Sequence, residues 1–374
     1  MNKGMTKMRI LFPRVMATSL LMTSEAVKMI DSNETLGFSC LNCTNETVLN
    51  NKTECKTTAD FQYIMFPVVY SIVFVFAFIT NAMALWYFFA TKSITSPNCV
   101  FMVNLAVIDF IFALTLPFKV VYHALQNDWI FGEILCKING SLFFANLYGS
   151  SLFLTCICID RYIAVVHPIK SLQLRKRKYR IITSCVLWAI LAAVIMFLTF
   201  KGPLTTAFEN GNTACLENFS SSSWKGRISG VSLVSAVIGF IIPFLVIVIC
   251  YPLIACKLME KSTATKNTHS IKKRALRTIL IVLFVFVVCF APYHINQIIH
   301  TLRRIDLFSG CSLIQFTYAA RRVTMAMTSF NSCLDPLIYY FGADSFNWKV
   351  FCCIKGQLIY KSSKTNSTSL SQRG

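Results

Sequence analysis

Apolar side chains come along this chain in blocks of twenty or more residues, separated by short polar stretches. A helix needs about 20 predominantly apolar residues to cross the hydrocarbon core of a bilayer. Read by length and flanks, the blocks predict seven spans, at 62–90, 98–125, 133–166, 179–201, 228–257, 272–301 and 312–341. Connections are short, the longest being 202–227. The pattern predicts an all-α membrane protein, a seven-transmembrane helix bundle over residues 61–342. Beyond it, Asp344–Lys355 sets Phe346, Val350 and Phe351 against Asn347 and Lys349. That predicts a short amphipathic eighth helix along the membrane, opening the cytoplasmic tail 343–374.

The polar stretches orient the bundle. The loop 167–180 carries Lys170, Arg175, Lys176, Arg177, Lys178 and Arg180, and the loop 257–277 carries Lys257, Lys261, Lys266, Lys272, Lys273, Arg274 and Arg277. Basic loops stay in the cytoplasm, and an odd number of spans then puts the N-terminus outside. Residues 1–60 agree, because Asn33, Asn42, Asn45 and Asn51 each head an Asn-x-Thr sequon suited to an extracellular glycosylated tail. Asn139-Gly-Ser141 also matches, but it opens the third span and is discounted. The expected location is the plasma membrane. Cys352 and Cys353, next to the membrane, suit palmitoylation, with two ordinary reduced thiols as the alternative. The Ser/Thr-rich stretch Ser362–Ser371 suits a kinase.

Composition narrows the class further. Of 374 residues, 55% are hydrophobic and 14% charged, against about a quarter charged in soluble domains. The net charge of +20 lies mainly in the loops between spans, which argues against binding DNA or RNA. The sixteen cysteines show no zinc-ligand spacing.

Against this background the ionisable groups inside the spans stand out. Asp160-Arg161-Tyr162 ends the third span. Ionisable groups at membrane depth are costly unless paired or wetted, so the triplet is a functional candidate, with Arg161 snorkelling to headgroups as the plain alternative. Asp109 is a lone carboxylate midway through the second span and needs a cation, a proton or donors. Pro243, Pro292 and Pro336 interrupt spans five, six and seven, and a proline frees a carbonyl and leaves a kink. Asn81, Trp188, Tyr251, Cys289-Phe-Ala-Pro292-Tyr293 and Asn331-Ser-Cys-Leu-Asp335-Pro336-Leu-Ile-Tyr339 complete a series with one landmark in each span. In this order and spacing, over residues 60 to 355, the chain resembles the rhodopsin-like (class A) G-protein-coupled receptors.

The resemblance implies a receptor rather than an enzyme, coupled to a heterotrimeric G protein and regulated by arrestin and receptor kinases. Asp160, Arg161, Tyr162, Tyr251, Pro292, Asp335, Pro336 and Tyr339 would carry activation, the sixth span moving about Pro292 to open a cleft beside Arg161. It implies no cofactor beyond an allosteric sodium ion, at Asp109, Ser150, Asn331, Ser332 and Asp335. It also implies a disulfide between Cys136 and Cys215, with a second between Cys55 and Cys311 as in the purinergic-receptor-like branch. Phe290 replaces the family's usual Trp, a change common in that branch.

Candidate ligand contacts converge on the outer halves of the spans: Lys119, His123, Tyr148, His294, Gln297, Arg321 and Arg322, with Lys225 and Arg227 at the entrance. Cations around a partly apolar cleft suit a phosphate or carboxylate on a greasy or aromatic body, although Arg321 and Arg322 also read as membrane-boundary markers. Phe143, Phe144 and Leu147 offer no carboxylate for an amine ligand, and the seventh span holds no Lys for retinal. Leu116-Pro-Phe-Lys119, Trp224-Lys225 and Gly239-Phe-Ile-Ile-Pro243 look most like the lysophosphatidic-acid receptors. His294-Ile-Asn-Gln297 and Arg322-Val-Thr-Met325 lack bases that nucleotide receptors usually carry. A lysophospholipid is therefore favoured, with nucleotide, cysteinyl leukotriene or constitutive activity as alternatives. A transporter or channel predicts repeats or rings of charge, and a membrane enzyme predicts a catalytic string; the sequence carries neither.

Overall fold

The computed structural model describes residues 59–91, 96–174, 176–200, 203–208, 211–217, 228–259, 266–305, 307 and 310–342. Helix α1 is Gln62–Ala90, α2 Val100–Ala124, α3 Gly132–Val166 and α4 Arg177–Phe200. A short helix, Pro168–Leu174, links α3 to α4. Helix α5 runs as Ser229–Ala236, a π-helical turn Val237–Ile241, then Ile242–Met259. Helix α6 is built likewise from Lys266–Val285, a π turn Phe286–Phe290 and Ala291–Arg304. Helix α7 comes in two pieces, Cys311–Ser329 and Asn331–Gly342.

Among the described residues, six helices are long and apolar enough to cross a membrane. The seventh is divided at Phe330 and carries Arg321 and Arg322, so length and apolarity alone do not mark it. Helix α3 is the axis of the bundle, packing against α2, α4, α5 and α6, while α1 lies against α2 and α7. The core around it includes Phe66, Tyr70, Phe112, Phe153, Phe286 and Tyr339, all at most 1% exposed. Outward faces carry bare apolar side chains such as Ile64, Phe76, Ile249, Phe284 and Phe316. Lipid is the solvent that tolerates such a surface.

Each of the three prolines read as helix interruptions has its irregularity about one turn upstream, where a proline ring meets the carbonyl four residues back. The π turns Val237–Ile241 and Phe286–Phe290 precede Pro243 and Pro292, and the break at Phe330 precedes Pro336. Two of the three freed carbonyls find side-chain donors. Gly239 O, four before Pro243, accepts from Ser151 Oγ at 2.5 Å. Ser332 O, four before Pro336, accepts from Asn81 Nδ2 at 2.9 Å. The spacing of Asn81 and Pro336 in the sequence thus becomes a tie between α1 and α7.

Two local expectations change. The 202–227 connection contains a two-stranded antiparallel hairpin, β1 Thr205–Ala207 against β2 Thr213–Cys215, a local addition to the helical bundle. Trp129 N donates to Thr213 O at 2.8 Å, Thr213 N to Asp128 Oδ1 at 3.0 Å, and Leu204 N to Glu133 Oε1 at 2.8 Å. The hairpin is thereby fixed to the start of α3 and the α2–α3 connection. Arg180, read as a loop cation, lies inside α4 and is 4% exposed. The eighth helix, the sequons, Cys352, Cys353, Lys225 and Arg227 lie outside the described residues.

Candidate functional site

Between the helix halves on the side of the β1–β2 hairpin, termed the outer halves, lies a cavity of about 1410 Å³. Cations gather on its outer wall: Lys119 from α2, Arg303 and Arg304 from the end of α6, Arg321 and Arg322 from α7. Among the described residues, Glu217 is the one acid in the lining. The opposite flank is apolar, with Leu152, Ile190, Val194, Val234 and Ile238. Ile190 and Ile238 are 48% and 52% exposed, so this flank, between α4 and α5, is an open apolar surface rather than packed core. The cavity is amphipathic, charged at its outer end and greasy at one side.

Its cations differ in how they are held. Lys119 Nζ sits 3.9 Å from the centroid of the Phe143 ring and 5.7 Å from that of Tyr70. Among the described residues no carboxylate is within ion-pair distance of it. Arg322 is a forked partner of Glu217, its Nη1 and Nη2 donating at 2.8 and 3.0 Å, and Nη2 also reaches Tyr318 Oη at 2.9 Å. Burial alone would raise the Glu217 pKa, but the Arg322 guanidinium, His123 and the hydrogen bonds outweigh it and hold the carboxyl below its usual range. Arg322, expected to face the ligand, is thus already neutralised. Arg321 Nη1 lies 3.4 Å from His300 Nε2.

The remaining expected contacts divide. His123 lines the cavity with its ring stacked 4.2 Å from Phe66 and Nδ1 2.7 Å from Asn127 Oδ1. Tyr148 and Gln297 line it too, Tyr148 Oη 2.9 Å from Ser235 Oγ and Gln297 Nε2 donating to Ser232 Oγ at 3.0 Å. A methyl group on Gly239 would come within 2.3 Å of the Tyr148 ring, so this glycine lets α5 and α3 meet. His294 is placed differently from the others. Its ring lies outside the cavity lining, stacked 4.8 Å from Phe240, because the helical turn that presents Tyr293 and Gln297 to the cavity turns His294 toward α5. Leu147 likewise belongs to the core. Glu217 escaped the sequence reading, although its place two residues after Cys215 was a usable signal.

Cys136 and Cys215 form a disulfide with S–S 2.01 Å and Cα–Cα 5.8 Å, which carries Glu217 to the bundle. Cys311 is disulfide-bonded as well; Cys55, its expected partner, lies outside the described residues.

Deeper in the bundle, Asp109 is fully buried and accepts from Ser332 Oγ and Asn146 Nδ2, both at 2.8 Å, with Ser150 Oγ and Tyr339 Oη at 3.5 Å. Asn331 and Asp335 are also fully buried, and neither Asp335 oxygen has a donor among the described residues. At the inner end, Asp160 is bound by Arg180 of α4, an ion pair across helices. Arg161 is itself buried at 7% exposure, and Tyr162 Oη lies 3.2 Å from His167 Nε2. Tyr251 packs half-buried against the core, on α5.

Residues 80–339 match the model of the family described as 7 transmembrane receptor (rhodopsin family). The chain is 35% identical over 291 residues to lysophosphatidic acid receptor 6 of Gallus gallus, covering 78% of this chain and 94% of that one. It is 37% identical over 293 residues to lysophosphatidic acid receptor 4 of Homo sapiens, 78% of each chain. Over 325 residues, 86% of each chain, it is 36% identical to the uracil nucleotide/cysteinyl leukotriene receptor of Homo sapiens. Series of landmarks, helical bundle and family match agree: the chain belongs to the rhodopsin family of seven-transmembrane receptors.

Proposed function

We propose that this receptor sits in the plasma membrane with its N-terminus outside and activates heterotrimeric G proteins when a lysophospholipid enters the outer cavity. The observation that carries the reading is the amphipathic cavity itself. A lysophospholipid has one anionic head and one acyl chain, and the cavity has a cationic outer wall and an apolar flank between α4 and α5. Lys119, with no carboxylate partner among the described residues, is the receptor for the phosphate, and Arg321 assists it. The similarity to lysophosphatidic acid receptors supports this choice. A nucleotide or leukotriene is the second reading, supported by the uracil nucleotide/cysteinyl leukotriene relative.

Binding at the outer end reaches the inner end through α6, whose π turn and Pro292 form the compliant segment. Opening there would expose Arg161 to the G protein and, later, to arrestin and receptor kinases. Asp109, Ser150, Asn331, Ser332 and Asp335 would hold a sodium ion, whose charge would offset the buried carboxylates and brace the resting bundle. The test is nucleotide exchange on a co-expressed G protein, with lysophospholipids and nucleotides compared on wild type and Arg161→Ala. Exchange driven by nucleotides alone would overturn the lipid reading. Exchange unaltered by Arg161→Ala would overturn the activation scheme.

A further inference from the structure

The polar groups of α5 and α6 one turn below the arginines leave an acceptor over, and counting protons identifies it. Thr301 Oγ1 donates to Gln297 O at 2.8 Å. With that proton on Gln297 O, the serine is the donor in the contact with Ser232 Oγ at 2.9 Å. Ser232 Oγ then has only lone pairs left for Gln297, which matches the amide with Nε2 toward the serine, at 3.0 Å. Gln297 Oε1 is what remains. It is buried without a donor among the described residues, on a side chain 8% exposed that lines the cavity. The same count at Ser235, which donates to Ser232 O at 3.0 Å, makes Tyr148 Oη the donor to Ser235 and leaves lone pairs on the tyrosine.

This level of the cavity therefore offers acceptors, unlike the cationic level above it. Along α6 the lining passes from Arg304, Arg303 and His300 to Gln297 and then Tyr293; along α5 it passes from Ser232 and Ser235 to Ile238. A ligand with its anion between Lys119 and Arg321 and its chain on the α4–α5 flank passes its linking segment along Gln297. An ammonium there would meet the surrounding cations, whereas a neutral hydroxyl supplies the missing proton without charge. Resting on the lysophospholipid reading, we propose that Gln297 is a specificity-determining residue. It accepts a hydrogen bond from a free alcohol hydroxyl on the segment between phosphate and acyl chain. A site built to bond a hydroxyl rejects the analogue lacking it, because the buried polar group is left unpaired.

The experiment compares 1-oleoyl-glycerol 3-phosphate with its 2-deoxy counterpart, the oleoyl ester of propanediol phosphate, in binding and nucleotide exchange on the full-length receptor. Wild type should prefer the hydroxylated lipid by about tenfold or more, and Gln297→Leu should bring the two lipids level. Gln297→Asn, which withdraws the amide by one methylene, should shrink the preference and serves if the leucine variant fails to reach the surface. Equal potency of the two lipids on wild type overturns the proposal, and so does a full preference retained by Gln297→Leu. If neither lipid binds while a nucleotide does, the lysophospholipid reading itself falls and takes this one with it.

Discussion

Replacing Glu217 by Gln separates two roles that a buried ion pair combines. In the structure Glu217 meets both terminal nitrogens of Arg322, with side-chain exposures of 16% and 9%. Removing one partner of such a pair leaves an uncompensated charge, at a cost of about 3 kcal/mol. Stability of the detergent-solubilised receptor should fall by that order. Anionic agonists should nevertheless gain, because the variant frees a guanidinium in the cavity wall and removes a like charge, about 1–2 kcal/mol or roughly tenfold in potency. The pH dependence has a definite sign. Because the folded-state carboxyl sits below its usual range, the pair's contribution is complete above the ordinary glutamate value of 4.5 and fades as pH falls through the lower folded value. Thermal unfolding followed from pH 7 downward should therefore be flat in this respect until below 4.5, and Glu217→Gln should remove this pair's share of the acid limb. A variant as stable as wild type with weaker agonist response would refute the assignment of Glu217 as the clamp on Arg322.

Other expectations follow from the same geometry. Lys119→Met should weaken an anionic agonist by about 1.5–3 kcal/mol through loss of a charge-assisted hydrogen bond, and an unchanged concentration–response curve removes Lys119 from the site. Asp160→Asn should raise basal nucleotide exchange, since Arg180 then loses its ionic partner across α3 and α4; basal exchange at the wild-type level counts against that restraint. His294→Phe should leave agonist affinity within about twofold, because the ring stacks on Phe240 outside the cavity lining. A large loss in radioligand binding would return His294 to the site. Asn81→Ala should destabilise the bundle by about 1–2 kcal/mol, measured by thermal unfolding, as Ser332 O loses its donor.

Much of this protein was legible in one dimension. Length and apolarity fix a membrane helix because lipid offers its backbone no other partner, so spans such as 62–90 and 133–166 could be read to within a residue or so. Proline positions announced where α5, α6 and α7 would be irregular, since that clash is local. Cationic candidates such as Lys119 were visible because charge is rare at membrane depth. What the order of residues did not carry was pairing across helices. Asp160 paired with Arg180 of α4, and Glu217 claimed Arg322, because contacts between elements depend on rotation and depth that no local pattern records. His294 faces α5 and Gln297 faces the cavity for the same reason, three residues and a small rotation apart. Chemistry was written in the sequence; which charges remain available to a ligand was decided only when the helices packed.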